Sequence, residues 1–420
     1  MKALVAVTSL LLSTSLLLIG QGMQLTLLPL RASANGLSDF TIGISASCYF
    51  LGFIVGCIGV PATIARAGHI RSFSVLTAVM ISAILCLEML DGWAFLLVLR
   101  FLAGVAIAGL YTVIESWLNS QATAESRGRI LSIYTFILLI SMALGQVLIN
   151  VGPIESSTPF TLAAVFLALA IIPVGLTSRM APAPIESTRI RFNLLYQRSR
   201  SAFAGALLSG LVVGSFWSLG AVFARGYSTA QSDISWFITA AILGGALLQY
   251  PIGLLSDRID RRKVMLMLCV GGALASVAVA MSAGHNWHLL AVFLFGAMVM
   301  PIYAMSLATA ADVAHEGEFV EIGTSVLLLN AVGAVSAPLF LGKLMSSFGP
   351  PLLFWSFAGL CLLFTAYIAL QLRDARAVSI ADQVPFSAAA PEVAPASFDL
   401  DPRGPEHLDP ETSPGEPPQA

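Results

Sequence analysis

Few residues of this chain carry charge. Asp, Glu, Lys and Arg make up 10% of the 420 residues, whereas a soluble domain has roughly 25%. Hydrophobic residues make up 57%, and the mean hydropathy is +0.87. A soluble chain with so large a core would still need a polar surface. The composition therefore excludes an ordinary soluble domain and indicates that lipid surrounds most of the chain.

Several kinds of site are missing as well. The sequence has no Gly-x4-Gly-Lys-Ser/Thr loop for ATP, no nucleophile motif and no two-histidine metal helix. The net charge of −2 predicts no nucleic-acid partner. We therefore expect no metal, no cofactor and no enzymatic activity. The cysteines lie inside apolar runs without zinc-site spacing, which predicts small buried hydrophobes: Cys48, Cys57, Cys86, Cys269 and Cys361.

Long apolar runs take up most of the sequence. About 20 such residues cross the hydrocarbon of a bilayer, and the backbone there must form its hydrogen bonds within a helix. An all-α membrane protein with twelve transmembrane helices is therefore predicted. The first six runs are 4–30, 40–61, 73–90, 94–117, 130–150 and 160–178. The second six are 202–224, 234–255, 264–284, 288–310, 322–345 and 350–371.

The first run has an alternative interpretation as a cleaved signal peptide. Lys2 precedes it, and the segment 32–34 resembles a cleavage site. The run is long for a signal core, however, and it contains Gln21 and Gln24, which suit a helix packed inside a bundle. A transmembrane helix is the favoured interpretation.

The runs form two sets of six on either side of a basic linker. This divides the chain into an N-terminal bundle (1–178), a linker (179–200), a C-terminal bundle (201–373) and a tail (374–420). The tail is rich in proline and acidic residues, which predicts a disordered, solvated segment.

The two halves resemble each other at an offset of 192 residues. Arg66 then coincides with Arg258, and Tyr111 with Tyr303, each at matching topological positions. Each coincidence is weak alone, but together they favour a duplication. Two pseudo-symmetric six-helix bundles with a solute site between them form a transporter architecture.

The distribution of basic residues predicts the orientation. Of the 21 lysines and arginines, only Arg31, Arg225 and Lys343 fall on the side away from the termini, and Arg100 falls inside a run. Because cytoplasmic loops carry the excess of positive charge, we expect both termini in the cytoplasm.

The loop 253–263 resembles the signature loop of the major facilitator superfamily, Gly-x-Leu-Ala-Asp-Arg-x-Gly-Arg-Arg/Lys. Asp260 replaces the usual glycine. The residues that match are Gly253, Leu255, Asp257, Arg258, Arg261 and Arg262. The resemblance implies a cytoplasmic gate at this loop, in which Asp257 meets a helix N-terminus and nearby arginines in one conformer. A plain positive-inside loop explains the arginines but not Asp257.

The first half holds a weaker copy of that loop. It keeps Arg66, Gly68 and Arg71 but has lost the aspartate. Arg66 and Arg71 are therefore candidate gate residues, and the gating role is better supported in the second half.

Two further segments carry the resemblance. Arg100 begins an Arg-x-x-x-Gly motif that ends at Gly104 and resembles the superfamily motif linked to proton coupling. The segment 115–121, followed by Arg127-Gly128-Arg129, is similar to the bacterial YcaD-like branch. The Gly-Pro-x-x-Gly-Gly ending of drug antiporters is not found in the fifth run, which lowers the case for drug antiport without excluding it.

Two charged residues inside runs are candidates for coupling or for substrate charge, because an ionised side chain in lipid costs about 2.5 kcal/mol or more. Arg100 either faces a central cavity or reaches outward to Glu88 or Asp91. Glu115 either carries a proton or pairs with cytoplasmic arginines as part of a gate.

Uncharged polar and aromatic residues inside the runs are candidates to line a solute cavity. Each has the alternative role of joining two helices through a hydrogen bond. They are Gln21, Gln24, Gln146, Asn150, Trp217, Gln249, Tyr303 and Asn330.

The sequence thus favours a secondary active transporter of a small solute that works by alternating access and is coupled to protons. We expect a monomer in the bacterial inner membrane whose partners are the solute, protons and the bilayer. The alternatives are a non-transporting membrane sensor or receptor on the same scaffold, and a drug efflux antiporter. Output lost on deletion of residues 382–420 would favour the sensor.

Overall fold

The computed structural model describes residues 2–89, 92–122, 126–176, 190–315, 318–372, 383–387 and 393–401. Throughout these ranges the regular structure is helical, and no strand is present. Twelve of the helices are long and apolar enough to cross a membrane. The prediction of an all-α membrane protein with twelve transmembrane helices is confirmed.

The helices follow the predicted runs and extend several of them by a few residues. Those of the first half are α1 (Lys2–Ala34), α2 (Asp39–Ala67), α3 (His69–Met89), α4 (Trp93–Gln121), α5 (Arg127–Leu148) and α6 (Thr158–Gly175). Those of the second half are α7 (Arg200–Arg225), α8 (Gln231–Ser256), α9 (Arg261–Ser282), α10 (His288–Ala311), α11 (Phe319–Phe348) and α12 (Leu352–Gln371).

Glycines at the offset of 192 bring equivalent helices into backbone contact in each half. In the first half a Cβ added to Gly52 would lie 2.1 Å from the Phe101 carbonyl oxygen, so α2 and α4 are in backbone contact at this glycine. In the second half a Cβ added to Gly244 would lie 2.0 Å from the Phe293 carbonyl oxygen, so α8 and α10 are in backbone contact at this glycine. Close backbone approach through small residues is typical of helix packing in lipid. The repeat is therefore present in the packing as well as in the sequence.

The two ends of the bundle differ in charge. We call the end with the α2–α3, α4–α5, α8–α9 and α10–α11 connections the basic face, and the other end the opposite face. At the opposite face the halves touch directly. A Cβ added to Gly43 of α2 would lie 2.2 Å from the Pro338 carbonyl oxygen of α11. The Phe40 N–H donates to Ser346 Oγ at 3.0 Å.

Other helices strengthen this closure. Arg225 Nη1 donates to the Leu30 carbonyl at 3.2 Å, which joins α7 to α1. Ser235 Oγ of α8 donates to the Gln146 carbonyl of α5 at 2.5 Å. The halves are thus closed against each other at the opposite face.

Part of the predicted linker is helical. Residues Phe192–Arg198 form a short helix just before α7, and they lie against α11 of the second half. Arg191 Nε pairs with Glu321 at 3.0 Å, and Arg198 with Glu318 at 3.5 Å. The start of the linker, 179–189, lies outside the described residues.

Two short segments of the tail depart from the solvated, disordered state that its composition predicted. Residues 383–387 and 393–401 pack on the basic face, where Ala394 is 0% and Phe398 2% exposed. The physical reason is that a few apolar residues among the prolines and acids find an apolar surface to cover. The rest of the tail lies outside the described residues.

The glycine contact between α2 and α11 generates a stability prediction. Gly43→Ala should lower the free energy of unfolding by about 1–3 kcal/mol, because the added methyl meets a backbone oxygen that cannot move aside. Gly59→Ala, elsewhere on α2, is the matched control, since nothing lies within 4 Å of its added Cβ. Thermal unfolding in detergent measures both variants, and equal midpoints would contradict the closure described here.

Candidate functional site

A cavity lies between the two halves. Helices α1, α2, α4 and α5 of the first half and α7 and α11 of the second contribute to its wall. The wall is largely aromatic and apolar, with a few polar side chains, as small-molecule sites commonly are. The lining residues are Gln21, Leu25, Tyr49, Phe50, Phe53, Tyr111, Met142, Val213, Gly214, Trp217, Asn330, Ala331 and Ala334.

A chain of three side chains connects this cavity to the buried arginine of α4. Gln21 Nε2 donates to the Tyr49 hydroxyl at 2.7 Å. The guanidinium carbon of Arg100 lies 4.4 Å from the centre of the Tyr49 ring, a cation–π contact. Arg100 therefore lies behind the cavity wall, and its charge reaches the cavity through Tyr49.

Arg100 has no carboxylate partner among the described residues. It is 3% exposed, and its Nε and Nη1 have no hydrogen-bond acceptor in that part of the chain. Glu88, one of the two acids it was considered to reach, pairs instead with Arg31 at 3.6 Å. The other, Asp91, lies outside the described residues. The cavity thus has a buried positive charge on one side.

The second half contributes amide and indole groups to the cavity. Asn330 of α11 is 7% exposed, and no described residue donates to its Oδ1. On the other side of the cavity, Gln21 Oε1 is likewise buried and without a donor among the described residues. Trp217 of α7 also lines the cavity. Buried acceptors without donors are costly unless a ligand or water satisfies them.

A π-helical turn, Gly210–Gly214, shapes this part of α7. A Cβ added to Gly210 would lie 1.9 Å from the Asn330 carbonyl oxygen, and one added to Gly214 would lie 2.4 Å from Ala334 Cβ. The turn therefore brings α7 into close contact with α11 beside the cavity, which Gly214 and Ala334 both line. Such turns are frequent at functional sites.

The candidates in α1 and α5 occupy different places. Gln146 joins two helices, since its Oε1 accepts from Thr26 at 2.6 Å and its Nε2 donates to the Gly22 carbonyl at 2.7 Å. Asn150 is exposed at the end of α5 and donates to the Val147 carbonyl of its own helix. These two contacts correspond to roles other than cavity lining.

Three more candidates are buried but are not among the described lining residues. Gln249 is 7% exposed, Tyr303 0% and Gln24 1%. The Gln24 amide group has no hydrogen-bond partner among the described residues. Of the eight polar and aromatic candidates, the structure brings Gln21, Trp217 and Asn330 together around the cavity.

Glu115 lies near the basic face and is 0% exposed. The Tyr134 hydroxyl of α5 donates to its Oε1 at 3.0 Å. The Ala394 N–H of the tail donates to Oε1 at 3.1 Å and to Oε2 at 2.9 Å. The predicted pairing with arginines is not found among the described residues, and neutral donors surround this carboxylate instead.

The signature loop forms an ionic cluster between α8 and α10. Arg261 is 1% exposed; its Nη2 lies 3.2 Å from Asp257 Oδ1 and its Nε lies 3.2 Å from Asp312 Oδ2. A buried arginine held by two acids is costly to break, because removal of one partner leaves an uncompensated charge. The cluster also receives the tail: the Phe386 N–H donates to both Asp257 oxygens, at 3.0 and 3.2 Å.

The other predicted gate residues differ in their exposure and in their ion pairs. Arg66, Arg71 and Arg258 are exposed, and none has an ion pair within the described ranges. Arg262 pairs with Asp260, the residue that replaces the usual glycine, at 2.9 Å. Gly253 is buried, and a Cβ there would lie 2.1 Å from the Phe386 ring.

The sequence did not identify several residues of the cavity and of the ionic cluster. Tyr49, Phe50 and Phe53 line the cavity, and their spacing on one face of α2 is the signal that would have grouped them. Asp312 was not among the predicted gate residues, but its side chain is 4% exposed in the ionic cluster. No local signal distinguishes it from a solvated acid, because its partner comes from another helix.

The bridging contacts of Gln146 generate a prediction. Gln146→Leu should lower the free energy of unfolding by about 1–3 kcal/mol, because the Thr26 hydroxyl and the Gly22 carbonyl would lose their partner. Asn150→Ala is the control, since it removes only a contact within its own helix. Thermal unfolding measures both. A larger effect of Asn150→Ala would contradict the bridging role of Gln146.

The sequence matches known proteins over most of its length. The family model of the Major Facilitator Superfamily matches residues 10–200 and 202–396. An "uncharacterized MFS-type transporter YcaD" of Escherichia fergusonii is 28% identical over 357 residues, which cover 84% of this chain and 92% of the relative. Its counterpart in Escherichia coli strain K12 is 28% identical over 356 residues, 83% of this chain and 91% of the relative.

Solved structures share the fold at low sequence identity. The nucleoside transporter NupG aligns with a TM-score of 0.76 and 12% identity, over 88% of this chain and 99% of its own. A bacterial homologue of the lysosomal transporter Spinster, solved in an inward-facing and occupied conformation, aligns with a TM-score of 0.71 and 14% identity. That alignment covers 90% of this chain and 97% of the homologue.

Proposed function

Because the chain belongs to the Major Facilitator Superfamily, we propose that it is a secondary active transporter that moves a small solute by alternating access with proton coupling. One observation carries the proposal. A cavity with buried amide oxygens that have no donor among the described residues lies between two halves that touch directly at the opposite face. A site between two pseudo-symmetric bundles suits a transporter in which one bundle rocks against the other.

In this proposal the basic face is cytoplasmic and the protein lies in the bacterial inner membrane. The excess of lysine and arginine at that face supports this orientation. The conformer is then closed to the periplasm. The reverse conformer separates α2 from α11 and brings α4 and α5 of the first half toward α10 and α11 of the second at the cytoplasmic side.

The proposed coupling residues are Glu115 and Arg100. Glu115 is the buried carboxylate of α4 and faces the cytoplasmic side, so it is the proposed site for the coupled proton. Arg100 is the proposed charge that favours partial or full negative charge in the cavity. Both lie on α4, which contacts the cavity through Tyr111. Movement of this one helix can therefore link proton binding to the solute site.

The cavity wall suggests the class of solute. Aromatic rings at Tyr49, Phe50 and Trp217 favour a planar body, and the amides of Gln21 and Asn330 favour a hydrogen-bonding edge. Arg100, which has no carboxylate partner among the described residues, repels cations. The proposed substrate is therefore a small planar solute that is neutral or anionic.

The direct test is flux in proteoliposomes with an imposed pH gradient. Planar neutral, anionic and cationic compounds are first ranked by the thermal shift they cause in the purified protein. Flux of a neutral or anionic compound that rises with the gradient supports the proposal. Absence of flux for every compound that binds would favour the sensor alternative, and a preference for cations would contradict the assigned substrate class.

Arg100→Ala should reduce flux at least about tenfold, the effect of losing about 1.4 kcal/mol from the transport transition state. Folding should change little, because no described residue forms an ion pair with Arg100. Arg100→Lys should give an intermediate rate, since it keeps the charge but loses the planar contact with Tyr49.

The matched control is Lys343→Ala, which removes an exposed charge at the opposite face. It should leave the rate unchanged. Unchanged flux in Arg100→Ala, measured in protein with a normal melting midpoint, would remove Arg100 from the mechanism.

Glu115→Gln should uncouple transport from the pH gradient, because an amide cannot take up and release the coupled proton. Exchange of labelled solute at equal pH on both sides should persist, while gradient-driven accumulation is lost. Accumulation equal to that of the unchanged protein would show that the proton is carried elsewhere.

A further inference from the structure

Two short tail segments lie against the basic face of the bundle. The first, 383–387, binds the ionic cluster of the second half through its backbone. The Val384 N–H donates to Asp312 Oδ1 at 3.1 Å, and the Val384 carbonyl accepts from Arg261. Together with the two hydrogen bonds from the Phe386 N–H to Asp257, these contacts fix the segment in register.

The Phe386 ring anchors the first segment. It lies on Gly253, where any larger residue would collide with it, because a Cβ there would come within 2.1 Å of the ring. Because Gly253 has no side chain, the Phe386 ring can pack directly against the backbone of the signature loop.

The second segment, 393–401, binds both halves. In the first half, the Ala394 N–H donates to the two oxygens of Glu115. In the second half, Phe398 is 2% exposed; a Cβ added to Gly323 would lie 2.9 Å from its ring, and the Phe319 ring meets it edge-on at 6.2 Å. The short helix Ser397–Leu400 contacts α4 and α5 of the first half and α11 of the second.

We propose that the tail segments 383–387 and 393–401 are an autoinhibitory plug that holds the two halves apart at the basic face. The second segment lies between α4 and α11, the helices that must approach each other when this face closes. While it is docked, the reverse conformer cannot form. Undocking would then be a required step of each transport cycle or of activation.

The chemistry of docking explains why this segment fits. Glu115 is fully buried, and a buried carboxylate without donors or a counter-ion is unstable. The Ala394 N–H supplies a charge-assisted hydrogen bond to it without bringing a second charge. Proline follows both Val384 and Ala394, which disfavours helix at those positions and leaves their N–H groups free to donate.

A labelling experiment tests docking without any transport. Ser397 is 5% exposed in the docked tail. In the full chain, with the five native cysteines replaced, Ser397→Cys should react slowly with a water-soluble maleimide. Adding Phe398→Ala should accelerate the reaction about tenfold, equivalent to about 1.4 kcal/mol of lost docking free energy.

A matched pair at one position tests the hydrogen bond to Glu115. Ala394→Pro removes the donating N–H, whereas Ala394→Gly keeps it. Labelling of the cysteine at position 397 should accelerate in Ala394→Pro and change little in Ala394→Gly. Fast labelling in the unmodified tail, or equal rates in the two variants, would overturn the docking.

A reversible lock tests autoinhibition. In the full-length, otherwise cysteine-free chain, Gly323→Cys and Phe398→Cys place two thiols at a contact that the docked tail makes. Oxidation should form the disulfide and stop flux, and reduction should restore it. Phe398→Ala should raise flux above that of the unmodified protein.

These outcomes separate the plug from the proposed function. If no compound is transported, the labelling rates still decide whether the tail docks. If flux is measured but is insensitive to the oxidised lock, or falls in Phe398→Ala at a normal melting midpoint, the plug is wrong while transport stands.

Discussion

The backbone contact between α2 and α11 is the constraint on which the rest of the arrangement depends. Gly43 brings α2 within reach of the Pro338 carbonyl, and no side chain separates the two helices there. The halves touch directly at the opposite face. At the basic face the described tail residues contact α4 and α5 of the first half and α11 of the second.

The buried charges show three different solutions to the same physical problem. Arg261 is neutralised by Asp257 and Asp312 in an ionic cluster. Glu115 is stabilised by a hydroxyl and a backbone amide, both neutral. Arg100 lies over the face of the Tyr49 ring in a cation–π contact. The first arrangement pairs opposite charges, whereas in the other two the buried charge is stabilised by neutral groups.

The fold could be read from the sequence because lipid imposes a simple rule. A run long enough to cross the hydrocarbon must be helical, so hydropathy alone gave the twelve spans. The repeat was visible in the sequence at pairs such as Arg66 and Arg258, and it extends to glycines at the same offset. Positions such as Gly52 and Gly244 are constrained by backbone contact, so both halves kept the same spacing.

The cavity was only partly predictable, because helical periodicity does not say which way a uniformly apolar helix is turned. Gln21 and Gln146 are both amides inside spans, yet one lines the cavity and the other joins α1 to α5. The packing of the two described tail segments was not predicted, for a different reason. Its composition is that of a solvated segment, and its few apolar residues matter only because a complementary surface lies nearby.

The place where the tail is attached sets how strongly it must bind. Gln383 lies only twelve residues after the end of α12. The tail is therefore always close to its docking surface, at a higher local concentration than a free peptide would have. A tether this short corresponds to an effective concentration on the order of millimolar. An intrinsic dissociation constant of about 0.1 mM would then keep the tail docked roughly nine-tenths of the time. The few contacts made by Phe386, Ala394 and Phe398 are on the scale that such weak, easily reversed binding requires.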